Sequence, residues 1–335
     1  MRLKTVFGVI LLSLTMAASA ARAADMSRLP STVFDVIPPE TRVQGERGSM
    51  TVEQPACRIG NTADLRRRIV NVAVQEWAFF GFHTMDASGG TATILPAGIV
   101  PQLVPANLSP ADSQQAMTGI WAAQAGGKDR AIAGYWSAAP NGATVIAQQN
   151  AAWNAAGGRV VYWVQPWSAA FMSWVMCEAG LGNPLQFHRS IAHRDYVDQG
   201  IRTSDGQEIY SAYTAYNPGE RRIEPGDLLC TSWGNADYHD LADRRRAMGS
   251  YGSTHCDVVV KITTDRVAVI GGNLMLTVMM GILPLTQTAG TFPHPLNEPK
   301  SEGGRPIFAH LKMRATPIES NALDQSPTVK ALQEK

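Results

Sequence analysis

The fold is decided by the stretch Pro166-Trp167-Ser168-Ala169-Ala170-Phe171-Met172-Ser173-Trp174-Val175. Large apolar side chains recur in it at helical spacing, which predicts a buried helix that runs to about Glu178 and ends at Gly180. Ser168 falls in the first turn, where free backbone N–H groups and the positive end of the helix dipole favour developing negative charge. The stretch therefore predicts a core helix that carries a serine at its reactive end.

Short strand candidates follow this helix, and helix and strand do not alternate along the chain. A second helix is predicted at 187–199, and the strand candidates are 208–213, 227–231, 256–263, 267–270 and 307–313. Helices placed first and short strands afterwards predict an α+β fold, with helices packed on a mostly antiparallel sheet.

Upstream of this region, one helix has a clear signature. Leu65, Ile69, Ala73 and Trp77 recur every four residues, and weaker helical patterns cover 111–125 and 143–156. Composition predicts the other boundaries: an N-terminal extension over 24–55, an Ala- and Gly-rich insertion near 83–140 and a flexible tail over 317–335. We therefore expect a single domain over 56–316.

The first 23 residues have the three parts of an export signal. Arg2 and Lys4 supply the positive end, residues 6–16 supply a short apolar core, and Ala21-Arg22-Ala23 supplies the cleavage pattern. No other apolar run reaches membrane-spanning length. We therefore expect a periplasmic or secreted protein, cleaved near Ala23 and without a membrane span.

Charge and cysteine content narrow the expected partners. The chain has 29 Lys and Arg against 28 Asp and Glu, so electrostatics give no reason to expect a nucleic-acid partner. Four cysteines in an oxidising compartment predict two disulfides, and the favoured pairing is Cys230–Cys256 with Cys57–Cys177. We expect no metal and no cofactor, and the oligomeric state stays open.

Four motifs occur in a defined order along the chain. They are Trp167-Ser168-Ala169-Ala170-Phe171, Pro225-Gly226-Asp227-Leu228, His255-Cys256-Asp257-Val258 and Gly271-Gly272-Asn273. This order resembles the CHAP amidase/peptidase family and its NlpC-type relatives in the papain-like group, over residues 159–275. The resemblance implies a papain-like domain and a hydrolase of amide bonds, with peptidoglycan peptides in the periplasm as substrate. The chain is also similar to an uncharacterised bacterial family in which serine stands at the nucleophile position.

The resemblance implies a role for each catalytic candidate. Ser168 stands where the family has its nucleophilic cysteine, and because a serine hydroxyl does not ionise there, His255 would have to take its proton. Asn273 matches the residue that orients the histidine. Asp257 is a second candidate for that role, because residues 255 and 257 point to the same face of a strand. Gly271 stands where many members have a Glu.

Two further residues are candidates for substrate binding. Trp167 adjoins the nucleophile and would line a groove, although its simplest place is the buried face of the helix. His193 would face the cleft from the helix that follows.

Two other functions compete with the amide hydrolase. The chain can be a catalytically inactive domain that binds or scaffolds the cell wall, having kept the fold and lost the thiol. It can also be a zinc carboxypeptidase, since His188 and Asp195 have the His-x6-Asp spacing of some zinc D-Ala-D-Ala carboxypeptidases. His193, His239 and Asp240 would be the further ligands.

Overall fold

The computed structural model describes residues 27–60, 64–87, 93–95, 127–157, 159, 161–295 and 306–333. The predicted signal peptide, the predicted helix at 111–125 and most of the predicted insertion lie outside these residues. No helix within the described ranges is long and apolar enough to cross a membrane.

The helices predicted at 65–81, 143–156 and 168–178 are confirmed, and the second helix after Gly180 begins at His193 rather than near residue 187. In the described ranges the α-helices are α1 (Leu65–Phe79), α2 (Asp129–Ser137), α3 (Gly142–Ala155), α4 (Ser168–Ala179), α5 (His193–Ser204), α6 (Leu241–Arg246), α7 (Ala322–Gln325) and α8 (Pro327–Gln333). Gly180 ends α4 with a φ of 115°, a left-handed conformation that glycine adopts without strain.

The strands form a small hairpin and one large sheet. They are β1 (Val43–Gln44), β2 (Thr51–Val52), β3 (Thr84–Asp86), β4 (Thr93–Leu95), β5 (Tyr213–Tyr216), β6 (Leu228–Ser232), β7 (Thr254–Ile262), β8 (Arg266–Leu274), β9 (Thr277–Thr286), β10 (His294–Pro295) and β11 (Ile307–Met313). The order in the large sheet is β4-β3-β9-β8-β7-β6-β11-β5, with β10 paired to β9. Only the β3–β9 pair is parallel among these pairings, which confirms an α+β fold with a mostly antiparallel sheet.

Successive residues of β7 point into two different apolar layers. Val258 and Val260 belong to the main core, which also contains the apolar side chains of α1 and α4. Val259 faces the other side of the sheet and packs with Leu229 and Val269 in a smaller cluster. Because α4 packs on β7 and β8, the start of α4 lies beside the strands that carry His255 and Gly271.

Both ends of the described chain pack on the core, and the expectation of a flexible tail is corrected here. The extension at 24–55 buries Phe34, Val43 and Met50. The tail expected to be flexible forms α7 and α8, because Leu323 and Val329 bury their side chains against the main core. A second correction concerns the predicted insertion at 83–140. Helix α2, which lies near the C-terminal end of that range, packs against α4 and belongs to the core.

The disulfide pairing is confirmed. Cys230 joins Cys256, its direct partner in the β6–β7 register, and Cys57 joins Cys177 near the end of α4. Two disulfides fit an extracellular location, where thiols oxidise.

Asp227 of the Pro-Gly-Asp motif lies at the start of β6 and has a structural role. Its fully buried carboxylate accepts hydrogen bonds from Arg66 Nη1 at 2.7 Å and from the backbone N–H of Met313 at 2.9 Å, and it lies 2.9 Å from His310 Nε2. Burial alone would raise the pKa of Asp227, but the hydrogen bond and charge of His310, together with the charges of Arg66 and Lys312, hold it below its usual value. Asp227 therefore ties α1, β6 and β11 together.

Candidate active site

Ser168 is the first residue of α4 and is half-buried. The backbone N–H of Phe171 bonds to the carbonyl of Trp167 and closes the first helical turn. The N–H groups of the first turn before it have no partner within the helix. Ser168 and Ala169 line an open cleft of about 440 Å³, so the hydroxyl and the start of the helix face the same space.

Ser168 forms a hydrogen bond with a histidine that the motif did not assign to it. Its Oγ lies 2.8 Å from Nε2 of His193, the first residue of α5. His193 is buried and also borders the cleft. A serine and a histidine are therefore in direct contact in the cleft. The sequence predicted His193 as a residue that binds substrate, not as a partner of Ser168.

The other ring nitrogen of His193, Nδ1, accepts hydrogen bonds from its surroundings. The backbone N–H of Cys256 donates to Nδ1 at 3.1 Å, and the Tyr196 hydroxyl contacts the same atom. Burial raises the pKa of Tyr196 well above its usual value, and the negative charges of Asp257 and Asp195 add to this, so the hydroxyl keeps its proton. A neutral His193 therefore carries its proton on Nε2 and donates it to Ser168 Oγ.

His255 and Asp257 form a second pair beside the first. His255 Nε2 lies 2.6 Å from Asp257 Oδ1, and both side chains are buried. The ring centroids of His255 and His193 are 4.9 Å apart. A carboxylate next to Nε2 favours the tautomer with a proton on that atom, which leaves Nδ1 of His255 as the basic nitrogen.

Gly271 on β8 makes room for this pair. A Cβ at position 271 would lie 1.8 Å from Asp257 Oδ1 and 2.8 Å from His255 Nε2. The Asp257 carboxylate thus occupies the space that a side chain at 271 would need. The acidic group beside His255 therefore comes from β7, not from β8.

Asn273, the other candidate for orienting the histidine, lies at an irregularity of β8. The register with β9 shifts between Gly271 and Leu274, and Asn273 has a φ of 57°. Its buried Oδ1 has no hydrogen-bond partner among the described residues. The hydrogen bond to His255 is thus made by Asp257.

Trp167 does not line the cleft, which corrects its assignment to substrate binding. The side chain is fully buried, with ring centroids 5.8 Å from Phe80 and 5.9 Å from Tyr135. The residue packs in the core because it precedes the first turn of a helix that is apolar on nearly every side.

The residues of the zinc hypothesis do not converge on one point in the described ranges. Asp195 accepts a hydrogen bond from Ser190, His193 contacts Ser168, and His188 is exposed. Within the described ranges, no three His, Cys, Asp or Glu side chains are grouped as a metal ion would require. The His-x6-Asp spacing is therefore not accompanied by a ligand cluster in this part of the chain.

One family model matches the chain. Its family is described as uncharacterized protein conserved in bacteria (DUF2272), and the match covers residues 123–313. No curated protein and no solved structure matches the chain. The matched segment includes Ser168, both histidines and Asp257.

Proposed function

We propose that this chain, which belongs to the DUF2272 family of bacterial proteins, is a hydrolase of amide bonds in cell-wall peptides, with Ser168 as nucleophile. The observation that carries the proposal is the position of Ser168 at the start of a core helix and in an open cleft, next to His193, which in turn lies beside the His255–Asp257 pair. The order of motifs that resembles the papain-like CHAP family supports the same reaction.

In this proposal the two histidines have different roles: His193 is a hydrogen-bond donor to Ser168, and His255 accepts the serine proton. His193 donates its Nε2 proton to Ser168 Oγ, so the serine hydroxyl has to direct its own proton away from His193. His255, whose ring centroid lies 4.9 Å from that of His193, has Asp257 on its Nε2, and in this proposal its Nδ1 takes the serine proton. His255 is thus the general base, and Asp257 stabilises the imidazolium that forms.

The chemical step follows from these roles. Ser168 Oγ bonds to the amide carbon as its proton passes to His255, and the carbonyl oxygen becomes an oxyanion that the free N–H groups at the start of α4 can stabilise. The C–N bond then breaks, and the amine leaves with the proton from His255. Water, activated by the same base, hydrolyses the acyl-serine and restores the hydroxyl.

A second function, cell-wall binding without catalysis, is favoured by one specific observation. The nitrogen that touches Ser168 Oγ carries a proton in the neutral ring and cannot act as its base. A site whose serine only accepts and donates hydrogen bonds would bind a peptide without cleaving it.

Digestion of purified muropeptides by wild type, Ser168→Ala and Ser168→Cys tests the proposal. We expect cleavage by wild type and none by Ser168→Ala, which should still fold, since a hydroxyl at a helix start contributes only about 1 kcal/mol. Ser168→Cys should retain or gain activity, because the helix start stabilises a thiolate.

Ser253→Ala is the matched control, because Ser253 also lines the cleft but lies on the loop before β7. It should cleave like wild type. If neither wild type nor Ser168→Cys cleaves while both bind muropeptides, the hydrolase proposal is wrong and the binding function remains.

A further inference from the structure

One wall of the Ser168 cleft carries two exposed aromatic side chains. Trp233, after β6, is 52% exposed and Tyr251, before β7, is 71% exposed, and both line the cleft with Ser168. The backbone N–H of Trp233 bonds to the carbonyl of Ser253, so the two segments run side by side. Arg194 lies 5.2 Å from the centre of the Tyr251 ring. This wall presents flat apolar rings to solvent beside the serine.

The remaining polar lining is uncharged. Asn141, Thr144 and Gln148 follow one another at helical spacing at the start and along one side of α3, and Gln165 precedes α4. Each is exposed. Among the described residues no Asp or Glu lines the cleft. Amide and hydroxyl side chains of this kind match a ligand rich in hydroxyl and acetamido groups.

Resting on the proposed function, we propose that this cleft has a saccharide subsite, formed by Trp233 and Tyr251 on one side and the amide side chains of α3 on the other. The apolar faces of a sugar ring stack on exposed aromatic rings, and its hydroxyl and acetamido groups bond to neutral amides. A saccharide offers flat apolar faces and neutral polar groups together, which is the combination that this lining presents. The substrate is therefore a peptide still attached to its glycan.

Binding of the N-acetylglucosamine trimer to the Ser168→Ala variant tests the subsite without any need for turnover. The described ranges contain seven tryptophans, and Trp233 is the one that is exposed. The other six are at most 7% exposed. We expect the trimer to protect tryptophan fluorescence from acrylamide quenching. Calorimetry should show that Trp233→Ala and Tyr251→Ala each weaken binding by about tenfold, as for a central aromatic contact. Tyr210→Ala, which removes an exposed aromatic ring that lines a different cleft, should bind like its parent.

The outcomes separate this inference from the proposed hydrolase. Failure of the trimer to bind, or equal binding by the Trp233 and Tyr251 variants, overturns the subsite even if wild type cleaves sugar-free stem peptides. Trimer binding that depends on both rings supports the subsite even if wild type cleaves nothing. If wild type cleaves, glycan-linked peptide should be preferred over the sugar-free peptide, and Trp233→Ala should lose that preference.

Discussion

His193 and His255 lie side by side but present different atoms to the reaction. His193 turns an N–H towards Ser168, while its Nδ1 is occupied by the Cys256 N–H and the Tyr196 hydroxyl. His255 forms a hydrogen bond to Asp257 through Nε2, which leaves Nδ1 as the nitrogen that can accept a proton. Replacement by glutamine distinguishes the two roles, because a glutamine side chain can place an N–H near the position of Nε2 but cannot act as a base.

We predict that His193→Gln retains most of the activity and that His255→Gln loses it. The first change removes a hydrogen bond worth about 1 kcal/mol at most if the amide replaces it poorly. The second removes a general base, which contributes about 10²–10⁴-fold to rate. The measurement is kcat/KM against pH. The acid limb, which reports the base, should persist in His193→Gln, whereas loss of that limb in His193→Gln with retention in His255→Gln would assign the base to His193.

The sequence named Ser168, His255 and Asp257 as candidates, but it did not predict the contacts that the fold gives them. Ser168, His255 and Asp257 follow from the order of motifs and the period of a strand. The choice between Asp257 and Asn273 could not be made, because it depends on the space above Gly271. Ser168 and His193 are 25 residues apart and begin two different helices, so no local sequence pattern predicts their contact. His193 and Tyr196, three residues apart on α5, are the nearest hint, since they share a helix face.

At the scale of elements, the sequence succeeded where periodicity and terminators agree. Helix α4 has apolar side chains at helical spacing and Gly180 at its end, and it was predicted nearly to the residue. Strand β9 was missed because Gly281 and Pro284 argue against a strand, and because positive φ values at Met275 and Leu276 make the turn before it in residues that do not signal one.

The entry to β3 carries a histidine that makes the fold sensitive to acid. His83 is buried, neither ring nitrogen has a hydrogen-bond partner among the described residues, and burial lowers its pKa from 6.5 to about 4. Because the folded pKa lies below the unfolded one, the unfolded state takes up the proton first as pH falls. The free energy of unfolding should therefore be intact above about pH 6.5 and decline towards pH 4.

We predict that His83→Leu reduces this loss. In wild type, protonation of His83 lowers the free energy of unfolding by about 3 kcal/mol at most, a value reached when the pH is below both pKa values. Urea unfolding at pH 7.5 and pH 4.5 measures it, with exposed His188→Leu as the control. A pH dependence that is the same in wild type and His83→Leu would contradict the assignment.

At the scale of the whole molecule, the matched family segment is smaller than the folding unit. Residues 123–313 exclude α1 and β3, yet α1 lies in the main core and β3 pairs with β9. Cys57 lies outside the segment and its disulfide partner Cys177 inside it. Helices α7 and α8 also lie outside the segment and pack on α1.

We therefore expect a fragment of residues 123–313 to fail to fold, whereas residues 27–333 fold as a unit. The shorter fragment would expose the apolar faces of α4 and β7 that α1 covers, and would leave Cys177 unpaired. Circular dichroism in the near ultraviolet and a cooperative thermal transition measure this. A cooperative transition of the shorter fragment, at a temperature close to that of 27–333, would show that the matched segment is autonomous.

The space above Gly271 also bears on how relatives of this chain can vary. The Asp257 carboxylate beside His255 and a side chain at position 271 would compete for the same space. Relatives with an acidic residue at the position of Gly271 should therefore have a small residue at that of Asp257, and chains with Asp at 257 should keep glycine at 271. Residues 257 and 271 would then change together as relatives diverge. A sequence search that scores each position separately would miss the site that such relatives share.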